Sequence, residues 1–157
     1  MPKLSAGLLL YRIADDVVEV LIAHPGGPFW ARKDDGAWSI PKGGIEGEED
    51  SRTAALRELD EELGPGRPEL DPEELIDLGQ VRQRAGKVVD AWAAEGDFDP
   101  ATLDSNTFEM EWPPRSGREA EFPEVDRADW FALEAARKKL LPAQGEFLDR
   151  LLEHLAG

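Results

Sequence analysis

The chain has 157 residues, enough for one domain with a sizeable core, spanning 1–157. Its 34 acids against 18 bases give a net charge of −16, the reverse of what a protein gripping nucleic-acid polymer through its phosphates needs. With no cysteine, disulfides, thiol nucleophiles and cysteine-based zinc sites are excluded; no stretch approaches a membrane span, and the expected location is cytoplasmic.

Ser5–Arg12 and Val17–His24 are rich in aliphatic residues and are separated by Ala14-Asp15-Asp16, which predicts a hairpin. Residues 25–36, PGGPFWARKDDG, form a loop with adjacent glycines, two prolines and an Asp-Asp-Gly turn signal. Ala37–Ile40 is expected as a short strand feeding Pro41-Lys42-Gly43-Gly44. A helix follows. Asp50 or Ser51 can cap its N-terminus, Gly64 suits its exit, and Pro65 forbids continuation. At ~100° per residue, Leu56, Leu59 and Leu63 fall on one stripe and Glu58, Glu61 and Glu62 on another.

That second stripe is the feature with chemical content. An acidic chain can simply have a solvated acidic face. But Asp60, Glu61 and Glu62 crowd the last turn, where the helix dipole disfavours negative charge. Glu58 and Glu62 are also a like-charged i,i+4 pair, which is destabilising. Three carboxylates held together at the wrong helix end make sense if a cation joins them.

Beyond the helix, residues 64–74 read as a connection, and Leu75–Arg84 and Lys87–Ala94 as two strands around Ala85-Gly86. Glu95–Ser105 is an acidic loop, and Asn106–Trp112 alternates Phe108, Met110 and Trp112 with glutamates, as a strand does. Pro113–Val125 is expected as a loop and Trp130-Phe131 as a final short strand. Leu133–Leu141 and Gln144–Leu155 are amphipathic helices parted by Pro142. The order of elements is that of an α+β sandwich, a mixed sheet flanked by helices.

Residues 43–65, GGIEGEEDSRTAALRELDEELGP, place Gly43, Glu49, Arg57, Glu58, Leu59, Glu61, Glu62 and Gly64 at the spacing Gly-x5-Glu-x7-Arg-Glu-Leu-x-Glu-Glu-x-Gly. This resembles the signature box of the Nudix hydrolases, with Pro65 standing where the family usually has an aliphatic residue. The resemblance implies the α/β/α sandwich of that family and a Mg²⁺-dependent hydrolase, with Mn²⁺ able to substitute, that directs water onto a pyrophosphate phosphorus. It implies that Glu58, Glu61 and Glu62 hold the metal, with a backbone carbonyl near Lys42 or Gly43. Glu58 is the alternative general base. Glu49 would pair with Arg57 in a structural role. The flanking segments AWSIPKGG and WPPRSGREAEFPEVDRADWF are similar to a bacterial subgroup acting on nucleoside and dinucleoside polyphosphates. A tyrosine that often marks the diadenosine-polyphosphate branch is absent, since the only tyrosine is Tyr11.

Outside the box, Lys33, Lys42, Arg82, Arg84, Lys87, Arg115 and Arg118 are the cations expected to meet phosphates, Lys42 first and Arg115 and Arg118 next. Phe29, Trp30, Trp38, Phe108 and Trp112 are the aromatic candidates to stack on a base, with Trp38 taken as the site residue. Ordinary surface pairing and core packing are their bland alternatives. Glu109, Glu111 and Glu121 are weighed as a further ligand or base, with Glu121 ahead, and His24 is expected to be structural. The partner implied is a small phosphorylated molecule, a nucleotide, with no membrane and no nucleic-acid polymer; a homodimer is compatible. Two other readings stand beside it. The cluster Arg82, Arg84, Lys87 gives slight support to a non-nucleotide diphosphate such as a diphosphoinositol polyphosphate. A non-catalytic nucleotide-binding module is the other, and it usually loses box carboxylates that here are all present.

Overall fold

The computed structural model describes residues 4–157; Met1–Lys3 of the expected domain lie outside the described residues. The two aliphatic runs form β1 (Leu4–Ala14) and β2 (Val17–Pro25), antiparallel, with Ala14 opposite Val17. Both turn residues, Asp15 and Asp16, take positive φ, a conformation that short acidic side chains tolerate. Alternation along β1 divides the interior. Leu9 and Tyr11 face one side with Val20 and Ile22, while Leu8 and Leu10 face the other with Leu21.

β3 (Lys42–Gly44) pairs antiparallel with Ser5–Gly7 of β1. The strand expected at Ala37–Ile40 reduces to two single bridges, Ala23 to Ser39 and Trp38 to Leu140. Pro41 explains why no ladder runs on: it has no N–H, and its carbonyl accepts from Leu8 at 3.0 Å. α1 (Ser51–Leu63) begins with the Asp50 side chain accepting the Thr53 N–H at 2.8 Å. It ends at Gly64, whose φ of 85° is open to glycine and whose N–H reaches Asp60. Ala54, Ala55, Leu59 and Leu63 are fully buried on the Leu8 side of the sheet. Each buried leucine contributes about 1.5–3 kcal/mol.

β4 (Ile76–Arg82) and β5 (Val88–Glu95) are joined by a tight turn, and β5 runs parallel to β1 from Leu4 opposite Val88 to Tyr11 opposite Glu95. β6 (Thr107–Glu111) pairs with β7 (Glu119–Pro123) in a separate ribbon, so the expected Pro113–Val125 loop contains a strand. Only Ala120 and Phe122 alternate with the glutamates there, too short a pattern to read. β8 is longer than Trp130-Phe131, running Val125–Ala132, because its charged residues sit on positions between the buried Val125, Ala128 and Trp130. The sheet order is β4-β5-β1-β2-β8, with β3 also on β1.

α2 (Leu133–Lys139) stops two residues earlier than expected, because Leu140 bridges to Trp38. α3 (Gly145–Ala156) buries Phe147, Leu148 and Leu151 on the Leu9 side. Helices thus cover both faces, giving the α/β/α sandwich. Among the described residues no helix is long and apolar enough to cross a membrane.

Candidate active site

Arg57 organises the carboxylates. Its Nε and Nη2 donate to both oxygens of Glu49 at 2.9 Å, and Nη2 also donates to the Gly44 carbonyl at 2.9 Å. Nη1 donates to Glu58 at 2.9 Å and to Glu61 at 3.1 Å. One planar guanidinium therefore fastens the loop before α1 to the helix and bridges two of its acids. Its pKa is raised, first by Glu49, and Glu49 is held below the usual carboxylate range, first by Arg57.

Glu58 and Glu62 are 7% and 9% exposed. Burial pushes Glu58 up. It pushes Glu62 well above the ordinary carboxylate range, and the charge of Glu58 adds to it, against a backbone hydrogen bond from Lys42. Glu124 is exposed as a residue, yet its carboxyl is also raised, by partial desolvation and then by Glu61, and its charge in turn raises Glu58 and Glu62. These acids feel one another's charge.

Among the described residues no three carboxylate or imidazole groups already surround a single point. Arg57 engages Glu58 and Glu61, while Glu62 faces a neighbouring cavity. The donor set still suits a hard divalent cation. Oxygen donors are what such an ion takes, and its charge would offset the repulsion among the buried Glu58 and Glu62 and the neighbouring Glu124.

Gly43 is part of the same geometry. A Cβ there would lie 2.2 Å from the Glu58 carboxylate. Gly43→Ala is expected to displace that carboxylate and lower kcat by about a hundredfold, as an ångström of misplacement does. Circular dichroism should be unchanged, because the flexible end of Glu58 can move without disturbing the sheet. Wild-type kcat in Gly43→Ala would show that the close approach is incidental.

The cavity measures about 780 Å³, within the usual range for a small-molecule site. Lys42, Glu62 and Glu124 form part of its wall, beside the apolar Trp30, Ile40 and Val125. Glu124 is placed by backbone bonds: its N–H reaches the Asn106 carbonyl at 2.8 Å and its carbonyl takes the Gly26 N–H at 2.9 Å. Asn106 in turn donates to the Glu61 carbonyl at 2.8 Å, so the start of β8 is tied to the acidic end of α1.

The chain matches the NUDIX domain over residues 1–151. It belongs to the Nudix family. An RNA pyrophosphohydrolase of Agrobacterium fabrum is 31% identical over 137 residues, 76% of this chain and 74% of that relative. Another, of Rhodospirillum rubrum, is 48% identical over 65 residues, 40% of this chain and 38% of its own length. The chain thus spans well under half of the Rhodospirillum relative and about three quarters of the Agrobacterium one. In fold, it is similar to a C. elegans Ap4A hydrolase in a binary complex, with a TM-score of 0.64 at 24% identity over 99% of this chain and 98% of the other. The NUDIX domain of Shewanella oneidensis NrtR, complexed with ADP ribose, superposes with a TM-score of 0.64 at 16% identity, over 99% and 89%.

In this Nudix chain the expected site residues separate. Glu58, Glu61, Glu62, Gly43, Glu49 and Arg57 are gathered as described. Lys42 stands in the cavity wall, half-buried, its ammonium pKa lowered first by burial. Lys33 lies over the Trp30 ring, 5.0 Å from its centre, and does not itself line the cavity. Trp38 does not meet the cavity. It is 1% exposed, its Nε1 donates to Asp34 at 2.8 Å, and it packs edge-on against His24 and Phe131. Of these two aromatic candidates, Trp30 lines the cavity and Trp38 does not.

Arg115 and Arg118 are exposed at the turn between β6 and β7 and do not line the cavity. Glu109, Glu111 and Glu121 lie out on the same ribbon, exposed. The acid that reaches the site is Glu124, which the sequence did not single out. His24 is buried, with Nδ1 on Asp126 at 2.8 Å and Nε2 on the Lys33 carbonyl at 2.6 Å, tying the 25–36 loop to β8.

Proposed function

We propose that this Nudix chain is a cytoplasmic, Mg²⁺-dependent enzyme, tolerant of Mn²⁺, that hydrolyses a pyrophosphate bond in a nucleoside or dinucleoside polyphosphate. The observation that carries the reading is the meeting of Glu58, Glu62 and Glu124 with Lys42 beside a cavity partly walled by an aromatic ring, Trp30. Glu58, Glu61 and Glu62, with the Gly43 carbonyl, are the groups that would hold the cation. Mg²⁺ supplies water activation and neutralises charge on the phosphates when bound.

The chain's own residues do the rest. Attack of a water oxygen on phosphorus breaks the bridging P–O bond. Glu124 accepts the water proton, for which a raised carboxyl pKa suits it. Lys42 meets the phosphate and offsets its charge, and Trp30 offers a face for the base. Arg115 and Arg118, on the ribbon beside the 25–36 loop, meet parts of the substrate that extend beyond the cavity.

A second reading takes the 5′ end of an RNA as substrate. The 31% identity to the Agrobacterium RNA pyrophosphohydrolase favours it, and the net charge of −16 opposes a polymer grip. A hydrolysis panel with chromatographed products separates the two. It would contain nucleoside triphosphates, diadenosine polyphosphates, ADP-ribose, a diphosphoinositol and a 5′-triphosphorylated oligonucleotide, each with Mg²⁺ or Mn²⁺. Metal-dependent cleavage of a free nucleotide supports the first reading, and cleavage of the oligonucleotide alone replaces it with the second. A folded protein that turns over no member would overturn both.

A further inference from the structure

The cavity has a second charged region that the chemistry above does not use. Gln83, Arg84 and Lys87, from the turn between β4 and β5, line it together with Leu141–Ala143. Several cations of this acid-rich chain hold carboxylates, among them Arg12, Arg57, Arg67, Arg137, Lys139 and Arg150. Among the described residues, Lys42, Arg84 and Lys87 form no such pair, yet all three face the same cavity. Lys42 and Lys87 are near enough that the charge of Lys87 disfavours the protonated form of Lys42. Lys42 also feels the charges of Glu62 and Glu58, whereas Arg84 and Lys87 extend the positive lining of the cavity with no ion pair of their own, which marks a place for an anion.

Gln83 is set up to complete it. Gln144 is fully buried. Its Oε1 accepts the Ile40 N–H at 2.9 Å, and its Nε2 donates to Ser39 Oγ at 3.0 Å and to Gln83 Oε1 at 2.7 Å. The Gln83 amide oxygen is thereby committed, which leaves its NH₂ group as the end available to an acceptor. The turn itself is closed by the Gln83 N–H on the Lys87 carbonyl at 2.6 Å. One amide donor and two cations then sit beyond Lys42 from the carboxylates. β3, which carries Lys42, and β5, which follows Lys87, flank opposite sides of the same stretch of β1.

We propose that the Gln83–Lys87 turn is a second phosphate subsite, which selects substrates with three or more linked phosphates by holding the phosphate beyond the pair at Lys42. The inference rests on the reading of the cavity as the site of a pyrophosphohydrolase acting on nucleotides. Gln144 is a positioning residue for it.

The test is equilibrium binding by calorimetry in Mg²⁺, with ATP and ADP analogues whose bridging oxygens are replaced by methylene, so that nothing is cleaved. The chains compared are the wild type, the double variant Arg84→Ala/Lys87→Ala, and Gln83→Ala. The expected result is that the double variant weakens the three-phosphate analogue by about tenfold or more and the two-phosphate analogue by no more than about twofold. Gln83→Ala should show the same preference on a smaller scale. Arg84 and Lys87 are exposed, so circular dichroism of the double variant should match the wild type. Equal weakening of both analogues, or none, overturns the subsite and leaves the pyrophosphohydrolase reading standing. A wild type that binds neither analogue overturns the nucleotide reading and the subsite with it.

Discussion

Glu62→Gln is expected to cut turnover at least about a hundredfold and to remove the stabilisation that Mg²⁺ confers on the wild type. The substitution keeps the shape of a side chain that is 9% exposed and removes only its charge. In the metal-free protein that charge is costly, since burial and Glu58 hold the Glu62 carboxyl well above its ordinary range. The sign follows from linkage. An acid with a raised folded pKa binds its proton more tightly in the folded chain. Stability therefore falls as pH rises from the ordinary carboxylate value through the raised one, and the penalty is complete above it. Metal-free wild type should lose stability over that window, and Glu62→Gln should lose less. A cation at a hundred times its dissociation constant contributes about 2.7 kcal/mol, a rise of about 5–10 °C in Tm for a chain of this size. Melts with EDTA and with Mg²⁺, across pH, measure both effects. Retained turnover, or a Mg²⁺ shift equal to that of the wild type, would remove Glu62 from the metal site.

What the sequence made legible is what local rules govern. α1 carries its own cap at Asp50, its stop at Gly64 and its two stripes, and the structure has that helix from Ser51 to Leu63. β1 and β2 carry aliphatic runs across a two-residue turn. Legibility falls where a residue's role depends on distant segments. Trp38 and Trp30 are both aromatic residues near the box, and only tertiary packing sends Trp38 against His24 and Phe131 and leaves Trp30 at the cavity. Half of Arg57 was readable, its pairing with Glu49; its bridge from Glu58 to Glu61 was not. β7 was hidden because five residues of alternating glutamate and apolar side chains beside prolines resemble a loop. Glu124 was the hardest. Its place comes from backbone bonds linking residues 26, 61, 106 and 124, and no spacing along the chain encodes such a junction.

Glu124→Gln separates the two roles that this junction allows. As the base, Glu124 acts only when ionised, and partial desolvation followed by the charge of Glu61 raises its pKa. Wild-type kcat in Mg²⁺ should therefore fall as pH is lowered through the range in which Glu124 takes up its proton. The variant is expected to lose about 10²–10⁴-fold in kcat, the usual share of a general base. Its residual rate should be flat across the window where the wild type declines. Its Mg²⁺-dependent rise in Tm should survive, since Glu58 and Glu62 are unchanged, and this distinguishes it from Glu62→Gln. Loss of the thermal shift in Glu124→Gln would make Glu124 a metal ligand and return the proton to Glu58. A pH profile that keeps its acid limb in the variant would lead to the same reassignment from kinetics alone. The two variants thus divide one cluster of mutually repelling carboxylates into groups that hold charge and a group that moves a proton.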